Sequence, residues 1–159
     1  MYSHRKRMLD TSDEPEFGTN VIPARMTRGE LRDGGPYWTG KDAAGAFVAA
    51  PPIAVTDAVR ERGARRFDIY CAACHDKNGD GKGILFERGK VPTPSFHIDR
   101  LRQMADGQVF DTITNGVGLM PSYRYPIPVA DRWAIIVHLR ELQQRRLATR
   151  ATATRTGAP

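Results

Sequence analysis

Two cysteines three positions apart, followed at once by a histidine, most narrow what this chain can fold into: Cys71-Ala72-Ala73-Cys74-His75. They are the only two cysteines in 159 residues. A disulfide-rich scaffold and a four-cysteine zinc site are therefore excluded. A thioredoxin-like redox pair would follow a strand in a βαβ unit. The residues before Cys71 instead recur at helical spacing, as Val59, Gly63, Phe67 and Tyr70. A zinc site would need further ligands at metal spacing, and the other histidines, His4, His97 and His138, are scattered. A chance pair of structural cysteines leaves the adjacent histidine without a reason. Covalent haem attachment accounts for all three residues. Two thiols at a helix end reach the two vinyl groups on one porphyrin edge, and His75 then presents its imidazole to the iron. Covalent linkage retains the group even in a small protein.

The second axial ligand must come from elsewhere in the chain. Methionine is the ligand that raises the reduction potential in cytochromes c. The five methionines are Met1, Met8, Met26, Met104 and Met120. Met120 stands in a loop between two helical stretches, flanked by Gly116, Gly118 and Pro121. Glycine lets the backbone approach a flat ring closely, and proline stiffens the segment. Met120 is the expected ligand. Met104 is a weaker alternative because it lies in a stretch suited to packing, and His97 and His138 are weak alternatives as well.

The rest of the chain reads as one small helical domain with extensions. Residues 1–55 show no sustained period and contain five prolines, from Pro15 to Pro52. They are expected to form an extended arm. Thr56 is a plausible N-cap with Asp57 in the first turn, opening a helix over about 56–71. Short helices are expected near 98–104 and 106–115, the second closed by Gly116. Asp131 opens a strongly periodic helix over about 129–145, on which Trp133 is placed to meet Phe67. Residues 146–159, rich in Ala, Thr and Arg, read as a basic disordered tail. Most of the formal charge of +6 lies over residues 140–159, where Arg140, Arg145, Arg146, Arg150 and Arg155 stand against Glu141 alone. No basic face interleaved with aromatics is visible, so nucleic acid is not an expected partner. The longest apolar stretch, Ala43–Val55, is broken by Pro51-Pro52 and falls far short of the ~20 residues of a membrane span. No export segment of basic and then apolar residues stands at the start of the sequence.

One motif misleads. Asp76-x-Asn78-x-Asp80-Gly81-x5-Glu87 satisfies the EF-hand calcium pattern. The entering helix is already committed to the Cys-x-x-Cys-His turn, and loop position eight, usually branched and apolar, is Gly83. A Gly-rich turn along the haem edge is the expected role, not calcium binding.

Residues 56–145 resemble a class I monohaem cytochrome c. The likeness rests on Gly63 and Phe67, Cys71-Ala-Ala-Cys74-His75, Gly79-Asp80-Gly81-x-Gly83, Met120-Pro121 and Trp133. Three stretches narrow it: Thr27-Arg28-Gly29-Glu30-Leu31, residues 94–102 (PSFHIDRLR) and residues 131–136 (DRWAII), joined by Ile113-Thr114-Asn115-Gly116. In these the chain is similar to the monohaem cytochrome c subunit of bacterial alternative complex III, a membrane quinol oxidoreductase. The resemblance implies an all-α fold around one haem c, with Cys71 and Cys74 as attachment points and His75 and Met120 as axial ligands. Gly63, Phe67, Tyr70, Gly81, Phe96, Ile113, Pro121 and Trp133 are the candidate pocket residues. It implies an electron-carrier subunit, not itself an enzyme, peripheral on the periplasmic side of the cytoplasmic membrane. A multihaem cytochrome would be the donor, and a terminal oxidase or soluble carrier the acceptor. The arm over 1–55 would then pack on partner subunits. A free periplasmic shuttle cytochrome is the alternative.

Overall fold

The computed structural model describes residues 35–156. Among them seven helices form and no extended strand does. They are α1 (Pro36–Thr39), α2 (Asp57–Tyr70), α3 (Ala72–His75), α4 (Ile84–Gly89), α5 (Asp99–Arg102), α6 (Asp106–Asn115) and α7 (Val129–Thr156). The Thr27–Leu31 stretch lies outside the described residues.

Helix α2 starts where a cap is available. The backbone N–H of Val59 donates to the Thr56 hydroxyl at 3.3 Å, and Asp57 complements the positive end of the helix dipole. Its buried stripe is Val59, Gly63 and Phe67, spaced four apart. That stripe crosses α7, the most extensive helix pairing in the protein. Gly63 makes the crossing close: a Cβ there would lie 2.1 Å from the carbonyl oxygen of Ala134.

Helix α7 supplies the floor of the core. Trp133, Ile135, Ile136 and Leu139 are all buried on it. Its first turn carries Asp131, only 1 % exposed, which accepts from Arg62 and, at 2.9 Å, from Arg66 on α2. Trp133 does not take Phe67 as its ring partner. It stacks on Phe110 of α6, with centroids 4.3 Å apart, while Phe67 meets Phe96 and His138. The helices approach as expected, but the register along α7 brings His138, not Trp133, over Phe67.

Two expected boundaries move. Helix α7 does not stop near 145 but continues to Thr156, where a disordered tail was expected. Ala, Arg, Leu and Gln are good helix formers, and no Gly or Pro interrupts them before Gly157. Thr149, Thr152 and Thr154 send their hydroxyls back to carbonyls four residues earlier, which spares them competing turns. The arm expected over 1–55 also divides. Residues 35–55 pack on the helical body: Tyr37 is buried, α1 touches α6, and Trp133 Nε1 donates to the Tyr37 carbonyl. Gly40 and Gly107 meet so closely that a Cβ on Gly107 would lie 1.9 Å from the Gly40 oxygen. No helix among the described residues is long and apolar enough to cross a membrane.

Candidate functional site

The end of α2 runs directly into the short turn α3, which holds Ala72 to His75. Its carbonyls are orphaned at the C-terminal end, and the Gly-rich loop folds back to satisfy them. Asp76 N–H donates to Ala72 at 2.9 Å, Gly81 N–H to His75 at 2.9 Å and Gly83 N–H to Cys74 at 3.1 Å. Glycine is required for this return. A Cβ on Gly83 would lie 2.4 Å from the Ala73 oxygen, and one on Gly81, at φ +76°, 2.2 Å from the Thr93 oxygen. The loop therefore braces the motif from behind.

The calcium pattern is spent on the same task. Asp76 accepts from its own loop at Asn78 N–H, and Asp80 takes Arg146 at 2.5 Å. No cluster of three or more His, Cys, Asp or Glu that could hold a metal ion exists among the described residues.

Met120 sits on a tight turn. Val117 and Met120 exchange backbone hydrogen bonds at 3.0 and 2.9 Å, around Gly118 at φ +57°. Gly116 is at φ +79°, and a Cβ on it would lie 2.5 Å from the Met120 oxygen. Two further bonds, Tyr123 N–H to Ile113 at 2.9 Å and the Ser122 hydroxyl to Thr114 at 2.6 Å, fasten this segment to α6.

Between these elements lies a cleft of about 470 Å³, within the range of about 300–1,000 Å³ usual for cofactor sites. Cys71, Cys74, His75 and Met120 all line it. So do Phe67, Tyr70, Phe96, Ile113 and Pro121 of the expected pocket residues. Gly63, Gly81 and Trp133 do not. Gly63 serves the α2–α7 crossing, Gly81 the loop return and Trp133 the packing on α6. Met104, the weaker ligand candidate, also lines the cleft, while His97 and His138 stand outside it. His97 Nε2 is instead 2.8 Å from the Asn78 carbonyl oxygen.

The sequence reading missed Tyr123 and the wall formed by residues 91–94. Ile135 and Leu139 of α7 also line the cleft. Their i, i+4 spacing was the available signal for a second wall. Among the described residues, Arg100 is the only Lys or Arg in the lining, and nothing in its spacing marks it.

The electrostatics suit a neutral ligand set. Burial pushes the His75 imidazole down to about 4, and the Pro94 carbonyl acts weakly against it. The ring is therefore neutral at ordinary pH, with a lone pair free for coordination. The Pro94 backbone carbonyl is the hydrogen-bonding group beside this ring, though the bond to the buried Nδ1 is not well aligned. Burial, and then the neighbouring Cys74, push the Cys71 thiol up to about 12. Neither cysteine is engaged in a disulfide.

These observations agree with the comparison to known proteins. The family model described as cytochrome C oxidase, cbb3-type, subunit III matches residues 58–139. The chain belongs to this family. No curated protein matches it significantly. The match covers the stretch from α2 to the middle of α7, so this chain carries a c-type cytochrome domain with covalently bound haem c and serves haem-based electron transfer. The helical, strand-free body is that of a class I cytochrome c domain.

The residues present fit the group. Cys71 and Cys74 would carry the thioether links, and His75 and Met120 would bind the iron. Haem c, when bound, supplies a one-electron iron couple. The cytochrome's own residues keep the surroundings dry: Phe67, Ile113, Ile135 and Leu139 present apolar walls. The loop over 76–83 and the turn over 116–123 brace the backbone that carries His75 and Met120.

Proposed function

We propose that this cytochrome is the monohaem electron-transfer subunit of a membrane quinol-oxidising complex of the alternative complex III type. It works at the periplasmic face, taking electrons from a multihaem cytochrome and passing them to a terminal oxidase or a soluble carrier. The observation that carries the electron-transfer reading is that His75 and Met120 line one cleft together with both cysteines. With both axial positions filled by the chain, iron offers no open site for a substrate, and transfer is outer-sphere. The subunit reading draws on the residue stretches shared with that complex. The rim of the cleft supports it: Val117 is 64 % exposed and Leu119 74 %. Apolar side chains left open beside a redox site suit a partner that covers them.

Two measurements test this. Met120→Ala should abolish the methionine-to-iron charge-transfer absorption of the ferric protein, whereas Met104→Ala should retain it. Because Met104 shares the cleft, Met120→Ala/Met104→Ala should confirm that no second thioether substitutes. An unchanged spectrum in Met120→Ala would remove Met120 as a ligand. For the assembly, detergent-solubilised membranes should yield the cytochrome together with a haem-staining multihaem subunit. Recovery of the protein alone, in the soluble fraction, favours the free shuttle.

A further inference from the structure

Arg132 is only 5 % exposed, yet no carboxylate among the described residues pairs with it. Burial works against its charge, and the neighbouring Arg124 adds to that. Nearby buried charges are matched: Asp131 by Arg62 and Arg66, and Asp106 by Arg140. A guanidinium kept in such a place needs a reason, because an apolar side chain fills the same space without losing hydration. Its contacts supply one. Nε donates to the Ile127 carbonyl at 3.1 Å, and Nη1 donates to the Thr114 hydroxyl. The guanidinium carbon lies 4.8 Å from the centroid of the Phe110 ring, the ring on which Trp133 stacks.

Thr114 and Ile127 are the two ends of one loop. Thr114 stands in the last turn of α6, and Ile127 lies two residues before α7. Between them the chain turns at Gly116 and Gly118, presents Met120 and returns. Arg132 bonds both ends at once, which suits the rigid fork of donors that arginine carries. The position tolerates its charge, because the last turn of a helix is the negative end of the dipole and the face of Phe110 attracts a cation. Both ends adjoin the cleft, since Ile113 and Ile127 line it. The Ser122 hydroxyl and the Tyr123 N–H tie the returning limb to α6 at 2.6 and 2.9 Å, and Arg132 adds the tie at the base.

We propose that Arg132 is a positioning residue, a clasp that closes the base of the loop over 115–126 and so keeps Met120 on the iron and other small ligands off it. This rests on the reading of Met120 as an axial ligand. A thioether is a neutral, weak ligand, so its hold depends on how firmly the backbone presents it. Added imidazole competes for the position that Met120 leaves. Its apparent affinity is scaled by the fraction of molecules in which the loop has released the sulfur, and therefore reads the clasp directly.

The test uses the full haem-loaded chain in its ferric form, titrated with imidazole and followed by the methionine-to-iron charge-transfer absorption. Arg132→Met keeps the length and apolar volume of the side chain but loses both donors. Thr114→Val keeps the guanidinium and removes one acceptor, and it carries the test alone if Arg132→Met fails to load haem. Leu142→Ala is the control, a buried core residue outside the cleft. Arg132→Met should keep its covalent haem on a denaturing gel and bind imidazole about tenfold more tightly or better, the factor that follows from losing one charge-assisted hydrogen bond. Thr114→Val should shift the affinity the same way by a smaller factor. Leu142→Ala should lower the melting temperature and leave the imidazole affinity at the parent value. A parent-like affinity in Arg132→Met or in Thr114→Val overturns the inference, as does an equal shift in Leu142→Ala. A parent protein without the charge-transfer absorption overturns the ligand reading itself, and the two failures are thereby distinguishable.

Discussion

Trp133 Nε1 donates a 2.8 Å hydrogen bond to the backbone carbonyl of Tyr37, joining residues 96 positions apart in the chain. It fastens the segment before α2 to the last helix, and both residues are buried. Trp133→Phe keeps the stack on Phe110 but leaves that carbonyl without its donor. A buried acceptor deprived of its partner costs about 1–3 kcal/mol. Denaturant unfolding of the haem-loaded protein should show a loss of that size. Trp133 lies outside the cleft, so the visible spectrum should not change. A changed spectrum would place Trp133 in the haem site after all.

The same bond shows where reading from sequence stops. The Cys71–His75 motif is local, and its chemistry is fully spelled in five residues. Helix α6 is equally legible, since Gly116 closes it where the helix ends. Met120 could be singled out because Gly116, Gly118 and Pro121 mark a backbone that must bend tightly. Tyr37 offers no such signal. Its burial depends on an indole that arrives nearly a hundred residues later, and no local period encodes that. Helix α4 was also missed: six residues long, it has no side-chain cap and leaves Ile84 and Leu85 largely exposed. The extension of α7 past residue 145 escaped for the opposite reason. Its helicity comes from propensity continued out of a packed helix, with no apolar stripe to announce it.

Gly63→Ala tests the close crossing of α2 and α7. The added methyl would stand 2.1 Å from the Ala134 oxygen, a backbone atom that cannot rotate away. Overpacking of this kind costs about 1–3 kcal/mol or more, and this contact belongs at the upper end. Gly45→Ala is the useful comparison. Gly45 sits at φ +82° in open space, so only the left-handed backbone penalty of about 1–2 kcal/mol applies. Thermal unfolding should rank Gly63→Ala as the more damaging of the two. The reverse order would mean that the helices can part without loss.

Arg140 holds more of the structure than any other surface-facing cation on α7. It pairs with Asp106 at 2.6 Å, donates to the carbonyls of Leu101 and Arg102 at 3.3 Å, and also reaches the Met104 carbonyl. Arg140→Met would leave the buried Asp106 carboxylate alone, which costs about 3–5 kcal/mol. Burial already raises the Asp106 pKa even with Arg140 beside it. Without Arg140 it rises further, so the folded form favours the protonated acid. The defect should therefore be largest at neutral pH and shrink as the pH is lowered toward the ordinary carboxylate range. Arg140→Met/Asp106→Asn should recover part of the loss at neutral pH. A defect that does not vary with pH would assign the cost to the lost carbonyl contacts instead.

His138 gives the cytochrome a separate pH dependence, away from the ligands. Burial lowers its pKa, and Arg145 lowers it further, against Glu141 and Asp68, which raise it. Its ring packs at 5.2 Å on Phe67, and its Nδ1 is 3.9 Å from Glu141 Oε2. The folded protein therefore binds this proton less readily than the unfolded chain, whose histidine titrates near pH ~6.5. Below that pH the unfolded state takes up the proton first, and stability falls as pH falls. One such group contributes a slope of up to about 1.4 kcal/mol per pH unit between its unfolded and folded values. Above pH ~7 both states are neutral and the contribution is flat. His138→Leu removes the titration while keeping an apolar surface against Phe67. Urea unfolding at neutral and mildly acidic pH should show parent and variant diverging in pH dependence, the parent losing more stability on acidification. Parallel losses would mean that His138 is solvated well enough in the folded state to take its proton freely.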